Sequence, residues 1–263
     1  MTPSIPHATW RPAVSSTFPA LSATPAHTEP LARRTSLRLS ATLLLVGQLL
    51  YIVVTQFHAA GDANNHSAGF AEYAGSGIWT AVHLGQFAGM AIFLAGLLAL
   101  FFALDVQAGT ARWAGRFGAA SAVATLALYA VLQAVDGVAL KQAVNAWASV
   151  PDAEKAARFA SAEAIRWLEW GVRSYQNFAL GLALLLFAAA VIRTAWLPRP
   201  LAHLMGLSGL TYLVQGWVVG SAGFSQTETI AIVLAFVLDV AWMIWLVVVA
   251  WRIQDSQAPS PGR

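Results

Sequence analysis

The sequence predicts an all-α, polytopic membrane bundle of six transmembrane helices with both termini cytoplasmic. Three observations carry that expectation. First, 58% of the 263 residues are hydrophobic and only 10% are charged, with a mean hydropathy of +0.62. Soluble domains carry about 25% charged residues, so this chain lacks the polar surface to cover itself in water. Second, six apolar runs have the length and low charge of membrane helices: 39–57, 79–104, 117–140, 171–193, 201–221 and 228–251. None alternates with a period of two, and each is about twice the length of a barrel strand. Third, the basic residues are asymmetric. Ten Lys and Arg flank the ends of the runs on the side of the two termini, from Arg11, Arg33, Arg34 and Arg38 to Arg252 and Arg263, and five lie on the other side. The excess marks the cytoplasmic face, so the net charge of +3 reads as a topology signal and not as a nucleic-acid surface.

Taken in order, residues 1–37 are rich in Pro, Ser, Thr and Ala without hydrophobic periodicity, and are expected to form a disordered cytoplasmic tail. They do not read as a signal peptide, because no cleavage site follows the first apolar run, which is expected to stay in the membrane. Residues 38–252 form the expected six-helix domain and 253–263 a second cytoplasmic tail. The inner connections, 105–116 and 194–200, are short. Two outer ones are long. The first is the window FHAAGDANNHSAGFAEYAGSGIWTAVH at 57–83, and the second is 141–170. In the latter, Pro151 and Asp152 open a helix-favouring stretch that is expected to begin outside the bilayer and run into the fourth span. Gly85-x3-Gly89 and Gly216-x3-Gly220 read as close-packing faces. Trp79, Trp147, Trp167, Trp170, Trp196, Trp217, Trp242, Trp245 and Trp251 read mostly as an interfacial aromatic belt.

Polar groups are costly inside a bilayer, so their positions carry information. Gln48, Thr55 and His58 climb the first helix, and His83 and Gln86 lie near the outer end of the second. Tyr129, Gln133 and Asp136 do the same on the third, Glu169, Arg173 and Gln176 on the fourth, and Gln215 on the fifth. With alternating helix directions all of these stripes fall in the outer half of the bundle. The expected ligand-binding set is therefore His83, Gln86, Tyr129, Gln133, Asp136, Glu169, Arg173, Gln176 and Gln215. The window adds a candidate metal set, His58, Asp62 and His66 with His83. The H-x3-D-x3-H spacing faces one way if the segment is helical, and two imidazoles with a carboxylate suit a divalent metal such as zinc. Gly61 and Asn64–Asn65 favour a turn instead, which breaks the common face. Glu163 and Arg166 read as partners in a surface helix stripe held by its own i,i+3/4 pairs. Asp239, mid-span in the last helix, reads either as a proton site or as a neutral acid bonded to Ser208 or Thr211.

The absence of cysteine rules out disulfides, Cys zinc sites and thiol nucleophiles. There is no phosphate-binding loop, dinucleotide fingerprint, HExxH or GxSxG motif. The stretches LLLVGQLLYIVV at 43–54, HLGQFAGMAIFLAGLLAL at 83–100 and LPRPLAHLMGLSGLTYLV at 197–214, with the long outer segment before the fourth helix, resemble a bacterial family of small six-helix membrane proteins classed as a domain of unknown function. The resemblance covers about 38–251 and implies the fold, but no activity and no catalytic residue.

Two functions stay open at this point. One is a multi-pass protein of the cell (inner, cytoplasmic) membrane, in contact with the lipid bilayer, that binds a small molecule or ion at an outward polar pocket for sensing, transport or scaffolding. The other is a membrane-embedded, metal-dependent hydrolase acting on a lipid-like substrate, in which a metal held by His58, His66, His83 and Asp62 or Asp136 would activate water, with Glu169 as general base and Arg173 holding an anionic headgroup.

Overall fold

The computed structural model describes residues 28–59 and 62–253. Of the expected tails, residues 1–27 and 254–263 lie outside these residues, while 28–37 are helical and form the first turns of α1. All regular structure among them is helical: α1 (Thr28–Thr55), α2 (His66–Gly75), α3 (Trp79–Leu104), α4 (Gly109–Ala134) running through a π-helical segment (Val135–Leu140) into α5 (Lys141–Ser149), then α6 (Asp152–Ile192), α7 (Arg199–Ala222) and α8 (Gln226–Arg252). Five helical stretches are long and apolar enough to cross a membrane: Arg33–Thr55, Trp79–Leu104, Gly109–Ser149, Asp152–Ile192 and Gln226–Arg252. Helix α7 occupies the expected fifth run and has 24 residues, but it is interrupted by His203, Ser208, Thr211 and Gln215 and is not among the five.

The long helices close into a ring. Helix α1 packs on α3, α3 on α4, α4 on α6, α6 on α7, α7 on α8, and α8 returns to α1. Glycines make the closest of these contacts, because only a missing Cβ lets two backbones approach so nearly. A Cβ on Gly47 would stand 2.4 Å from the Phe93 nitrogen, and one on Gly89 would stand 2.8 Å from the Tyr51 nitrogen. Gly181 and Gly209 oppose each other between α6 and α7, where Gly216 also meets the Ser174 carbonyl. The core of the ring is apolar, with Leu44, Phe93, Leu97, Leu180, Phe187 and Leu246 fully enclosed. The outward faces carry exposed Leu, Val, Ile and Phe side chains such as Val53, Leu84, Phe102 and Val237, a surface suited to lipid. Arg38 Nε donates to the Ala250 carbonyl, so both ends of the described chain lie at one end of the ring.

The opposite end carries α2, α5 and the first turns of α6. At 41 residues, α6 is about 60 Å long, roughly twice the hydrocarbon thickness, and its leading half extends beyond the ring. There Phe70, Tyr73, Trp79, Leu140, Val144 and Ala162 form a second, smaller apolar core. Lys141 Nζ donates to the Tyr73 and Ala74 carbonyls at 2.7 and 2.8 Å, satisfying the C-terminal carbonyls of α2 that have no partner within the helix. Two tryptophans depart from the expected interfacial belt. Trp79 and Trp242 are 2% and 0% exposed, because each indole N–H finds an acceptor inside the bundle: the Asp136 carbonyl for Trp79 and the Asp239 carboxylate for Trp242.

Candidate functional site

The window between α1 and α3 is not one helix. After Thr55 the chain turns, and the Asn64 N–H donates to Asp62 Oδ1. Asn65 then caps α2, its side-chain oxygen accepting from the Ala68 N–H. Short side chains that bond to nearby backbone stabilise turns and helix starts over a continuous helix, and that breaks the common face of His58, Asp62 and His66. The three residues part. His66 Nδ1 sits 2.8 Å from Glu163 Oε1 and its ring stacks on Phe70. Asp62 is tied into its own turn. His58 alone reaches the interior, with its ring centroid 4.8 Å from that of Trp79 and 5.1 Å from that of His83. Burial pushes the His58 imidazole below the ordinary histidine range, while the nearby Asp136 carboxylate opposes that shift.

The π-helical segment positions Asp136. Widening the helix frees backbone carbonyls from the regular ladder, and such segments recur at functional sites. Here side chains of α3 bond to two carbonyls of the segment: Trp79 Nε1 donates to the Asp136 oxygen at 2.9 Å and Thr80 Oγ1 to the Gly137 oxygen at 3.2 Å. A Cβ on Gly137 would lie 2.6 Å from the Cβ of His83. Glycine at 137 is what lets α3 approach closely enough for His83 Nε2 to lie 3.2 Å from Asp136 Oδ2. One donor atom from each of His58, His83 and Asp136 falls within 4.8 Å of the others, so this group is placed to hold a metal ion. The expected partners Asp62 and His66 are not part of it.

Next to this trio lies a buried ion network. Arg166 Nη1 is 3.1 Å from Glu169 Oε2 and 3.9 Å from Asp136 Oδ1. Arg173 Nε donates to Glu169 Oε1 at 2.8 Å, and its Nη2 is 3.8 Å from Asp136 Oδ2. Glu169 is 0% exposed and Arg166 2%. Arg166 Nη2 also donates to the Tyr73 hydroxyl, and both guanidiniums lie 5.0 Å from the Phe224 ring centroid. The i,i+3 pair of Arg166 expected from the helix stripe is present, and it is buried: α2 and the α7–α8 turn cover it. Burial likewise raises the Tyr73 phenol above its usual range, with Arg166 opposing. Asn64 ties the connection before α2 to the α7–α8 turn: its Oδ1 accepts from the Phe224 N–H and its Nδ2 donates to the Phe224 carbonyl.

These groups border a cavity of about 460 Å³ that runs from the α2 end into the ring. Gln86, Tyr129, Asp136, Arg173, Gln176 and Gln215, all in the expected ligand-binding set, line it. Glu169 stands behind Arg173 and holds it, and His83 stands behind Asp136. His83 and Gln133 border instead a shallow, mainly apolar groove between α3 and α4. Residues outside the expected set also line the cavity: His58, Tyr73 and Arg166 near its mouth, and Tyr51, Tyr212 and Phe236 deeper in. Arg166 was legible, since it falls on the Glu169–Arg173 face. Phe224 had no signal, being a loop residue whose neighbours come from distant segments. Below the cavity, Tyr212 donates to Asp239 Oδ2 at 2.9 Å and Trp242 Nε1 to Oδ1 at 3.0 Å. The principal partners of Asp239 are thus a tyrosine on the adjacent helix and its own i+3 tryptophan. Of the two residues expected, Ser208 also approaches the carboxylate, while Thr211 bonds to the Ser208 carbonyl.

No curated protein and no solved structure matches the chain. A family model described as a domain of unknown function (DUF4386) matches residues 39–250. That span takes in the ring apart from the first turns of α1 and the last two residues of α8, together with the π-helical segment and every side chain of the cavity, and the chain belongs to the DUF4386 family.

Proposed function

We propose that the chain is a multi-pass membrane protein of six spans, α7 completing the five most apolar ones, with both termini cytoplasmic. In this reading the α2 end faces outward, and its cavity binds a small amphiphilic organic molecule. The observation that carries the reading is the cavity itself. At about 460 Å³ it lies in the range that small-molecule sites occupy, and its chemistry is graded. Arg173, Arg166 and the Gln86, Gln176 and Gln215 amides offer donors near the charged network, while Tyr51, Tyr129, Met90 and Phe236 offer apolar and aromatic surface deeper in. An anionic or hydrogen-bonding head beside Arg173, with an apolar body against the tyrosines, satisfies both parts. Arg173 is suited to meet the head, because its side chain is 24% exposed and one edge of its guanidinium is already fixed by Glu169.

The test is ligand stabilisation of the detergent-purified chain against a panel of carboxylate, phosphate and uncharged amphiphiles, read as a shift in the thermal unfolding midpoint. The reading expects a saturable shift with anionic members, weakened at least about tenfold by Arg173→Gln, the equivalent of one charge-assisted hydrogen bond. A panel without any saturable shift, or shifts unchanged in R173Q, would sink it. Sensing, transport and scaffolding share this binding step.

The metal-dependent hydrolase is the second reading, and the His58, His83 and Asp136 group favours it. It places a metal-activated water at the cavity wall. Release of product from a lipid-like ester, abolished by Asp136→Asn, would support that reading over simple binding.

A further inference from the structure

The cavity wall contains a contact that the protein's own groups leave incomplete. His83 Nδ1 lies 2.8 Å from the Trp79 carbonyl. A carbonyl only accepts, so Nδ1 carries the hydrogen, and in the neutral ring Nε2 keeps a bare lone pair. That lone pair points at Asp136 Oδ2 from 3.2 Å. The His83 ring is 2% exposed, and its Nε2 has no hydrogen-bond partner among the described residues; neither has Asp136 Oδ1. Two lone pairs facing at this distance repel unless a positive charge lies between them.

A proton on His83 would answer two of the atoms. It would leave His58, the third group of the cluster, without a part in the contact. His58 Nδ1 lies 3.1 Å from the Ala59 carbonyl, which fixes the same tautomer and leaves its Nε2 as an acceptor; one ring nitrogen of His58 falls within 4.8 Å of the ligand atoms of the other two. A backbone carbonyl on Nδ1 is how metal-bound imidazoles are commonly oriented. Both histidines here have it. The arginines do not consume Asp136: they stay at 3.9 and 3.8 Å from its oxygens, while Glu169 takes their close contacts at 3.1 and 2.8 Å.

We infer that His58 Nε2, His83 Nε2 and the Asp136 carboxylate bind one divalent transition-metal ion, with zinc the best fit to a two-imidazole, one-carboxylate donor set. Ligand atoms about 3.4 Å apart are needed around tetrahedral zinc with bonds of about 2.0–2.1 Å, so the trio contracts on binding. His58 is the ligand that moves. It sits on the connection after α1 and is only partly buried, whereas His83 and Asp136 are fixed by Trp79 and the π-helical segment. His58 and Asp136 line the cavity, which directs the fourth coordination position into it. The site stands whether or not the cavity takes an organic ligand.

The test is titration of the full chain, metal-stripped, in detergent and without affinity-tag histidines, with Co2+ followed by its visible absorption and then displaced by Zn2+. The expected result is one saturable Co2+ per chain with the intense bands of four-coordinate cobalt, displaced by Zn2+. Affinity falls at least about 100-fold in His58→Ala, since even indirect partners of a metal site cost about 10–100-fold. His66→Ala and Asp62→Asn leave it unchanged. His58→Ala alters a partly buried connection residue and is expected to fold; Asp136→Asn, close in shape, adds a second ligand variant. Absence of saturable Co2+ and Zn2+ binding in the folded wild type overturns the inference, as does binding that survives His58→Ala or that His66→Ala abolishes. Amphiphile stabilisation measured without metal reads the cavity separately, so failure of one does not imply failure of the other.

Discussion

Arg166 is the residue whose removal probes the buried network most directly. It is 2% exposed, contacts Glu169 at 3.1 Å, approaches Asp136 at 3.9 Å and donates to the Tyr73 hydroxyl at 3.2 Å. Arg166→Met keeps an apolar stem of similar reach and deletes the charge and the donors. Glu169, 0% exposed, is then held by Arg173 alone. Breaking a buried pair by removing one partner costs about 3–5 kcal/mol, because the other charge stays buried. The Tyr73 hydrogen bond belongs to the same network and falls within that figure. R166M is therefore expected to lose about 3–5 kcal/mol, roughly 10 °C in the unfolding midpoint. In Arg166→Met/Glu169→Gln the orphaned charge is gone, while the Gln carbonyl still accepts from Arg173 Nε. The double variant should be more stable than the sum of the single changes by roughly 2–3 kcal/mol. The assay is reversible SDS titration in mixed micelles followed by tryptophan fluorescence; the Trp170 ring lies 6.0 Å from the Arg166 guanidinium, and a thiol-dye assay has no cysteine to report on. An R166M loss under about 1 kcal/mol, the ceiling for an exposed pair, or strict additivity in the double variant, refutes the reasoning.

Other consequences are open to the same unfolding assay. Gly47→Ala drives a Cβ against backbone that no rotamer change relieves, 2.4 Å from the Phe93 nitrogen. It is expected to cost at least about 2–3 kcal/mol, whereas Gly75→Ala, with nothing within 4 Å of the new Cβ, stays within about 0.5 kcal/mol of wild type; equal effects would refute the close α1–α3 packing. Asp239→Asn can still accept from Trp242 and donate to the Tyr212 oxygen, so it is expected to cost under about 1.5 kcal/mol, while Asp239→Leu strands both donors and costs about 2–5 kcal/mol; equal losses would show that the carboxylate charge itself is required. For Tyr73 the sign follows from its raised phenol. The unfolded chain ionises this group near pH 10 while the folded chain resists, so its contribution is intact below about pH 10 and is lost as pH rises further, by up to about 1.4 kcal/mol per pH unit. Tyr73→Phe should flatten the decline in stability between about pH 10 and 11, and parallel wild-type and variant curves would overturn this.

Much of the site was visible as composition along single helices. Glu169, Arg173 and Gln176 recur on one face of α6, and Asp136 lies one turn beyond Gln133; such spacings survive folding because a helix preserves them. Gln86, Tyr129 and Gln215 were found by their expense in an apolar run. The errors came where a partner lies far away in sequence. The pairing of Arg166 with Glu169 was legible but its burial was not, because Tyr73 and Phe224, which cover it, belong to a short helix and a turn elsewhere in the chain. His66 looked like a partner of His58, yet it turns to Glu163, 97 residues on. Trp242 looked interfacial because its i,i+3 bond to Asp239 lies within α8, while the packing that turns this face inward, onto Tyr212 of α7, comes from a separate segment.

What the sequence determined by itself is the class of molecule: charge scarcity and long apolar helices are properties of each segment taken alone, and five of those helices are long and apolar enough to cross a bilayer. Only the tertiary structure decided which polar groups meet. That His58 reaches His83 and Asp136, that glycine at 137 permits the approach, and that two arginines share one buried glutamate all depend on helix register and on a π-helical widening. Both arise from packing between segments, where no local pattern records them.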